Sequence, residues 1–182
     1  MIQDQIPNQA TVETERLILR PLRASDVGLL DMYAGDKRVA SMTTSIPHPL
    51  PPGASDAFIK QSLDPNRVED VWVLDGLAAG LSELVGVIGL ERMDRAQSEI
   101  GYWLAPAFWH MGLAREAVSA LLEANPQGCE TIFGSVFQDN EASARVLTHC
   151  GFTYIGDAET HSVARGATVP TWTYHKCLKK KD

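Results

Sequence analysis

The run from Tyr102 to Ala117, Tyr-Trp-Leu-Ala-Pro-Ala-Phe-Trp-His-Met-Gly-Leu-Ala-Arg-Glu-Ala, constrains this chain most. An aromatic, strand-forming stretch is broken at Pro106. It then gives way to Leu113, Ala117 and Leu121 with Ala114, Val118 and Leu122, an apolar face at helical spacing opposite Arg115, Glu116, Ser119 and Glu123. A strand that feeds an amphipathic helix through a short loop needs a sheet for that helix to cover, so the chain cannot be all-α or all-β. Gly112 and Ala114 put small side chains at the helix start, beside unpaired amides and the positive end of the helix dipole. That arrangement suits an anion, although by itself a turn that needs glycine for packing is the simpler reading. No G-x-x-x-x-G-K-S/T or G-x-G-x-x-G motif occurs.

The remaining elements extend the same pattern. Leu17-Ile18-Leu19, closed by Pro21, predicts a first strand, and Ser25 and Asp26 offer an N-cap for a helix through Tyr33 that stops at Gly35. A proline-rich loop spans Pro47 to Pro52, and Asp56 to Leu63 predicts a second helix. Val71–Leu74, Leu84–Leu90 and Glu99–Leu104 predict strands in series. Val71 to Leu90 is about as long as a membrane span, yet Asp75, Glu83 and four glycines divide it into two strands and a turn. Asn125-Pro126 ends the long helix, and Thr131–Phe137 predicts a strand. Asn140 caps a helix whose Ser143, Val146, Leu147 and Cys150 share a face, with Gly151 at its left-handed terminus. Strands near Phe152–Ile155 and Thr171–Leu178 close the chain before a lysine tail.

Strands on both sides of two central helices indicate an α+β (mixed α/β) sheet. A single domain over 1–182, with tails at 1–13 and 179–182, fits a length without repeats or linkers. With 182 residues, 45% of them apolar, such a domain buries roughly 70% of its unfolded surface. Three widely spaced cysteines, at 129, 150 and 177, give neither a disulfide framework nor a metal-binding pair, which favours a reducing, cytoplasmic setting and no metal. The first ten residues do not read as a secretory signal. A net charge of -7 disfavours direct nucleic-acid binding through phosphate attraction and is compatible with a cationic partner.

Four motifs occur in a fixed order: the strand Glu99-Ile100-Gly101-Tyr102-Trp103-Leu104, the loop Phe108 to Ala114, the strand Phe133 to Phe137, and Asn140-Glu141-Ala142-Ser143 through to Cys150-Gly151-Phe152. In this order and spacing they resemble the GNAT N-acetyltransferases. The opening Thr14-Glu15-Arg16-Leu17-Ile18-Leu19-Arg20-Pro21 and Gly101-Tyr102-Trp103-Leu104 are similar to the Rim-type branch, which includes ribosomal-protein N-terminal acetyltransferases. The resemblance runs from about Thr14 to Leu178, nearly the whole chain.

The resemblance implies a mostly antiparallel twisted sheet of about six or seven strands with a splayed parallel pair, flanked by about four helices, with an acetyl-CoA site and no metal. The family's pyrophosphate loop, Q/R-x-x-G-x-G/A, maps onto Trp109-His110-Met111-Gly112-Leu113-Ala114, with Trp109 where Gln or Arg is usual, and Arg115 follows it. Pantetheine is expected between two splayed parallel strands, here Ile100–Leu104, including Tyr102 and Trp103, and Ile132–Val136. Asn140 matches the asparagine that holds the pantetheine arm, and helix capping accounts for it as well.

For catalysis, Glu99 aligns with the glutamate that removes the amine proton, and a solvated strand-end carboxylate is the competing reading. The main-chain N–H near Leu104 would meet the oxyanion. Leu147 stands where the family often has a tyrosine that protonates the leaving thiolate; Ser143, one turn away, is the substitute, or a small residue admitting the cofactor. Cys150 reads as core, His149 as solvated, and His48 as a neighbour of the acceptor loop. Trp72, Trp103 and Trp109 are candidates to wall the acceptor cleft, against the default of a buried aromatic.

The implied activity is acetyl transfer to a primary amine, a protein N-terminus or a small amine, by direct attack in a ternary complex. The acceptor pocket is expected from residues near 43–60 and 157–170. A non-catalytic acyl-CoA-binding module of the same fold is the alternative, favoured by Leu147 and Trp109, and an unrelated nucleotide-binding domain is a more distant one. Dimers are frequent in the branch, so a homodimer is compatible, and nothing in the sequence implies a membrane partner.

Overall fold

Eight strands form one sheet in the order β1-β2-β3-β4-β5-β6-β8-β7. The computed structural model describes residues 9–178. Along the chain they are β1 (Val12–Glu13), β2 (Ile18–Pro21), α1 (Val27–Ala34), α2 (Lys37–Ala40), α3 (Ala54–Ser62), β3 (Glu69–Asp75), β4 (Gly86–Arg92), β5 (Gln97–Leu104), α4 (Leu113–Ala124), β6 (Thr131–Phe137), α5 (Glu141–His149), β7 (Thr153–Ser162) and β8 (Ala167–Cys177). All strand neighbours are antiparallel except β5 and β6.

The expected α+β sheet is therefore present, with one strand and one helix more than the upper expectation. The additions have local causes. Val12–Glu13, inside the expected tail, pairs with Leu19 and Ile18. Four-residue α2 is started by Asp36, whose side chain accepts from the Arg38 N–H (2.8 Å) rather than by any apolar repeat. The last hairpin is longer than expected because β7 is exposed along most of its length, which leaves no inward–outward alternation to read. Residues 1–8 of the expected tail and the final lysines lie outside the described residues. No helix among the described residues is long and apolar enough to cross a membrane, and Val71–Leu90 is β3, a turn and most of β4.

The sheet divides the core in two. On one face α4 and α5 lay Leu113, Ala117, Val118, Leu121 and Leu147 on Trp72, Ile88, Ile100 and Ile132. On the other, α1 and α3 bring Leu30 and Ile59 to Val71, Val73 and Val87. Fully burying one such side chain is worth about 1.5–3 kcal/mol, which is what fixes the sheet register.

Asp26 does not cap α1 with its side chain. Instead Arg20, 4% exposed, donates to both Asp26 oxygens (2.8 and 3.0 Å), to Asp75 (2.9 Å) and to the carbonyls of Pro21 and Glu83. Asp26 also accepts the Arg23 N–H at 2.7 Å. This satisfied pair pins the start of α1 to β2 and to the end of β3. Removing Asp26 leaves the buried guanidinium with Asp75 as its one carboxylate partner and its terminal nitrogens short of acceptors, so Asp26→Ala should destabilise the fold by about 3 kcal/mol, read as a lower urea midpoint.

Candidate active site at the strand splay

The parallel pairing of β5 with β6 runs only from Gln97/Thr131 to Ile100/Gly134. Beyond it β5 stays paired with β4 as far as Leu104 while β6 follows β8 as far as Phe137, so the two strands part. Hydrogen-bonded pairs in an antiparallel ladder recur at every second residue. Ala105 donates to Val85 O and Met93 to Gln97 O, which turns the odd residues of β5 towards β4. The N–H groups of Tyr102 and Leu104 therefore face the splay.

A cleft of about 860 Å³ passes through this gap and is lined from both sides of the sheet. On the α1/α3 side its roof is the segment Met42 to Pro47 with Leu50, Phe58 and Gln61, and Thr160 adds to the lining. On the other side it reaches Asn140, Ser143 and Leu147 of the α5 region. Of the segments expected to shape the acceptor pocket, 43–60 supplies much of this lining, without His48, and 157–170 supplies Thr160 alone.

Glu99 lies in the cleft with Glu69 and Glu91, two carboxylates that the sequence reading missed. Register explains the group: Glu69 faces Glu91 across β3/β4 and Glu91 faces Glu99 across β4/β5. Gly89 and Gly101 form the floor beside them, and a side chain at Gly89 would collide with the Glu69 carboxylate. Burial raises the Glu99 pKa, and the Glu91 charge raises it further. Glu69 is raised by burial and then by Glu91, Asp70 and Glu99. Like charges facing across strands are unfavourable, so the ladder is costly to the fold.

On the opposite face the Tyr102 hydroxyl lies 2.9 Å from Ser143 Oγ and donates to Ser143 O (3.2 Å). Burial pushes the Tyr102 pKa far up, only partly offset by the Ser143 hydrogen bond, so the phenol stays protonated at any working pH. Leu147 is buried against Gly134, where an added Cβ would come within 2.9 Å of its methyl. The position thus carries packing, and a hydroxyl reaches the splay from β5 instead. Asn140 accepts from the Ser143 N–H (3.3 Å) as an N-cap, and Gly151 is left-handed at φ 86°.

The loop before α4 is exposed at Trp109, His110, Met111, Gly112 and Arg115. Gly112 is the left-handed N-cap of α4 with φ 76° and no side-chain cap, so the first-turn amides of Leu113, Ala114 and Arg115 have no helical acceptor. Trp109 Nε1 donates to Leu104 O (2.7 Å), tying the loop to the end of β5. Arg16 donates to Met111 O (2.9 Å) and pairs with Glu116 (2.8 Å). That brace was not foreseen, because nothing in the sequence links residues 100 positions apart. Of the tryptophans, Trp103 lines the cleft and Trp72 is fully buried in the core, donating to Ala10 O. Cys150 is core and His149 is exposed. No group of three or more His, Cys, Asp or Glu among the described residues is placed to hold a metal.

Comparison with known proteins gives this geometry a context. The family described as an acetyltransferase (GNAT) domain matches residues 16–153. The uncharacterized N-acetyltransferase YoaA of Bacillus subtilis is 33% identical over 96 residues, covering 50% of this chain and 54% of that protein, about half its length. The uncharacterized N-acetyltransferase p20 of Bacillus licheniformis is 25% identical over 90% of this chain and 94% of its own. Among solved structures, the microcin C7 self-immunity acetyltransferase MccE in complex with acetyl-CoA and AMP superposes with a TM-score of 0.78 at 18% identity, covering 90% of this chain and 93% of its own. A ribosomal-protein-S5-alanine acetyltransferase from Vibrio fischeri gives 0.78 at 20% identity, over 96% and 100%. At these identities the two structures bear on the fold.

The carboxylate ladder has a measurable consequence. Glu69 and Glu99 bind protons more tightly folded than unfolded, so their contribution to stability is full below the ordinary carboxylate pKa and is lost as pH rises through the raised values. Glu69→Gln, which mimics the protonated form, should raise the melting temperature at pH 7. The gain should vanish in acid, where the native residue is protonated as well.

Proposed function

Because the chain belongs to the GNAT acetyltransferase family, we propose that it moves an acetyl group from acetyl-CoA to a primary amine by direct attack in a ternary complex. The observation that carries this reading is the cleft through the splay, with a proton-accepting carboxylate on one face and hydroxyl donors on the other. Acetyl-CoA would enter along the unpaired edges of β5 and β6, its pyrophosphate on the amides of Gly112, Leu113 and Ala114 beside Trp109, His110, Met111 and Arg115. Asn140 and Ser143 would border the pantetheine arm, and Tyr102, Trp103 and Leu104 the thioester. The reported MccE complex with acetyl-CoA supports such a donor for this fold.

The acceptor would lie under the roof against Glu69, Glu91 and Glu99. A protonated amine has no lone pair, so attack needs a base, and Glu99, with its raised pKa, serves as one nearer neutrality. The amine nitrogen then bonds to the carbonyl carbon, and the oxyanion is met by the Leu104 N–H facing the splay. As the C–S bond breaks, its electron pair stays on sulfur. Ser143, held by Tyr102, hydrogen-bonds that thiolate; the second N–H proton, lost as the amide forms, passes to the thiolate, and the proton taken by Glu99 passes to solvent. Three carboxylates favour a cationic amine as acceptor, whether a peptide N-terminus or a small amine. The spermidine N-acetyltransferase from Vibrio cholerae, solved with CoA and spermine, has the same fold at a TM-score of 0.75 and 17% identity. Leu147, without the usual hydroxyl, favours the second reading of a non-catalytic acyl-CoA-binding module.

Calorimetry with acetyl-CoA should show saturable binding, and its absence at millimolar concentration overturns both readings. Thiol release from acetyl-CoA over a panel of peptides, polyamines and aminoglycosides separates enzyme from module. For the active amine, Glu99→Gln should lower kcat/KM by about 10²–10⁴-fold. Glu91→Gln removes a negative neighbour, so the Glu99 pKa falls and the acid limb of the pH–rate profile should move to lower pH; an unmoved limb rules Glu99 out as the titrating base.

A further inference from the structure

The turn joining β7 to β8 folds back to the cleft and carries Arg165. Its Nε donates to Ser41 O (2.7 Å), and its two terminal nitrogens donate to the two oxygens of Asp139 (2.6 and 3.0 Å). The guanidinium also lies 4.7 Å above the Phe137 ring, with Met42 Sδ at 3.7 Å from one nitrogen. Next to it the Val163 N–H donates to Thr44 O at 3.0 Å. One side chain thus joins the start of the roof, the hairpin turn, and the connection from the end of β6 to Asn140, the cap of α5.

Isolated surface ion pairs contribute little, but this one is not of that kind. Arg165 is only 22% exposed, its fork is bidentate, and an aromatic face backs it. The Asp139 pKa is lowered, chiefly by its hydrogen bond from Arg165. The segment it holds needs the support: Met42 to Pro47 line the cleft without belonging to a helix or strand.

We propose that Arg165 is a positioning residue that ties the acceptor roof to the cofactor side of the cleft, so that filling the splay stiffens the roof and raises acceptor affinity. The coupling rests on the acetyl-CoA reading; the tie itself does not. Pairing along β6 would fix Phe137 to Asn140, which fixes Asp139 and Arg165 and through them Ser41 to Thr44.

Hydrogen exchange measured by mass spectrometry on the full chain tests both parts. Without ligand, Arg165→Met should exchange peptides covering 41–46 about tenfold faster than the native chain, the scale expected for losing charge-assisted hydrogen bonds. Unchanged exchange there overturns the tie. With acetyl-CoA, those peptides should slow in the native chain and not in the variant; equal slowing in both overturns the coupling. For the amine turned over fastest in the panel above, Arg165→Met should raise KM about tenfold while kcat and the acetyl-CoA Kd change less than twofold, and Arg165→Lys, without the fork, should restore little of it. If Arg165→Met does not fold, Asp139→Asn cuts the link from the exposed side: roof exchange should stay native without ligand, and acetyl-CoA should no longer slow it. Failure of acetyl-CoA to bind either protein overturns the coupling together with the donor reading, and leaves the ligand-free exchange to decide the tie.

Discussion

Four residue pairs of parallel ladder, then none, is the constraint on which the rest of this molecule depends. β5 and β6 can separate because each keeps another partner, β4 on one side and β8 on the other, so neither loses its place in the sheet. Gly134 and Leu147 mark where they part: the glycine lets the α5 leucine pack directly on β6 at the last paired residue. Past that point, backbone N–H and C=O groups in the interior need partners, and a dry, apolar gap would not supply them. A polar, extended ligand would. The opening also makes both faces of the sheet available to one reacting centre, which an unbroken sheet forbids.

The two faces carry opposite chemistry. On the roof side, cross-strand register stacks Glu69, Glu91 and Glu99 over a glycine floor, an arrangement that opposes folding and raises proton affinity. On the helix side, Tyr102 and Ser143 present paired hydroxyls, and burial holds the Tyr102 proton tightly. A proton acceptor and hydrogen-bond donors on opposite sides of a gap suit a reaction in which one bond to carbon forms as another breaks. The stability lost at the carboxylates is offset elsewhere, in the satisfied Arg20–Asp26–Asp75 network and the two apolar layers.

Much of this was legible in the sequence where a local rule acts. The left-handed Gly151, the Asn140 cap and the apolar face of α4 follow from helix chemistry within a few residues. What escaped depends on register between distant strands. Glu69 and Glu91 are unremarkable residues near strand ends until β3, β4 and β5 align them with Glu99; their common signal was a Glu within three residues of an end of each of three successive strands. Tyr102 was assigned to the strand edge, and only the approach of α5 shows its hydroxyl meeting Ser143. Asp26 looked like a cap because it precedes an apolar helix, but a buried arginine across the turn competes more strongly for its oxygens than the helix amides do.

The acidic balance of the chain also reads differently against the structure. A charge of -7 would repel a polyanion if the whole surface acted uniformly. At the α4 loop it does not: Arg16 is already neutralised by Glu116, and the remaining positive potential comes from exposed Arg115 and from fixed amides that add no net charge. The carboxylates are gathered instead at the far side of the splay, beneath the roof. The fold thus sets the fixed amides of the α4 loop apart from the carboxylates of the cleft, and it is this separation, rather than the total, that an anion and a cation would each meet.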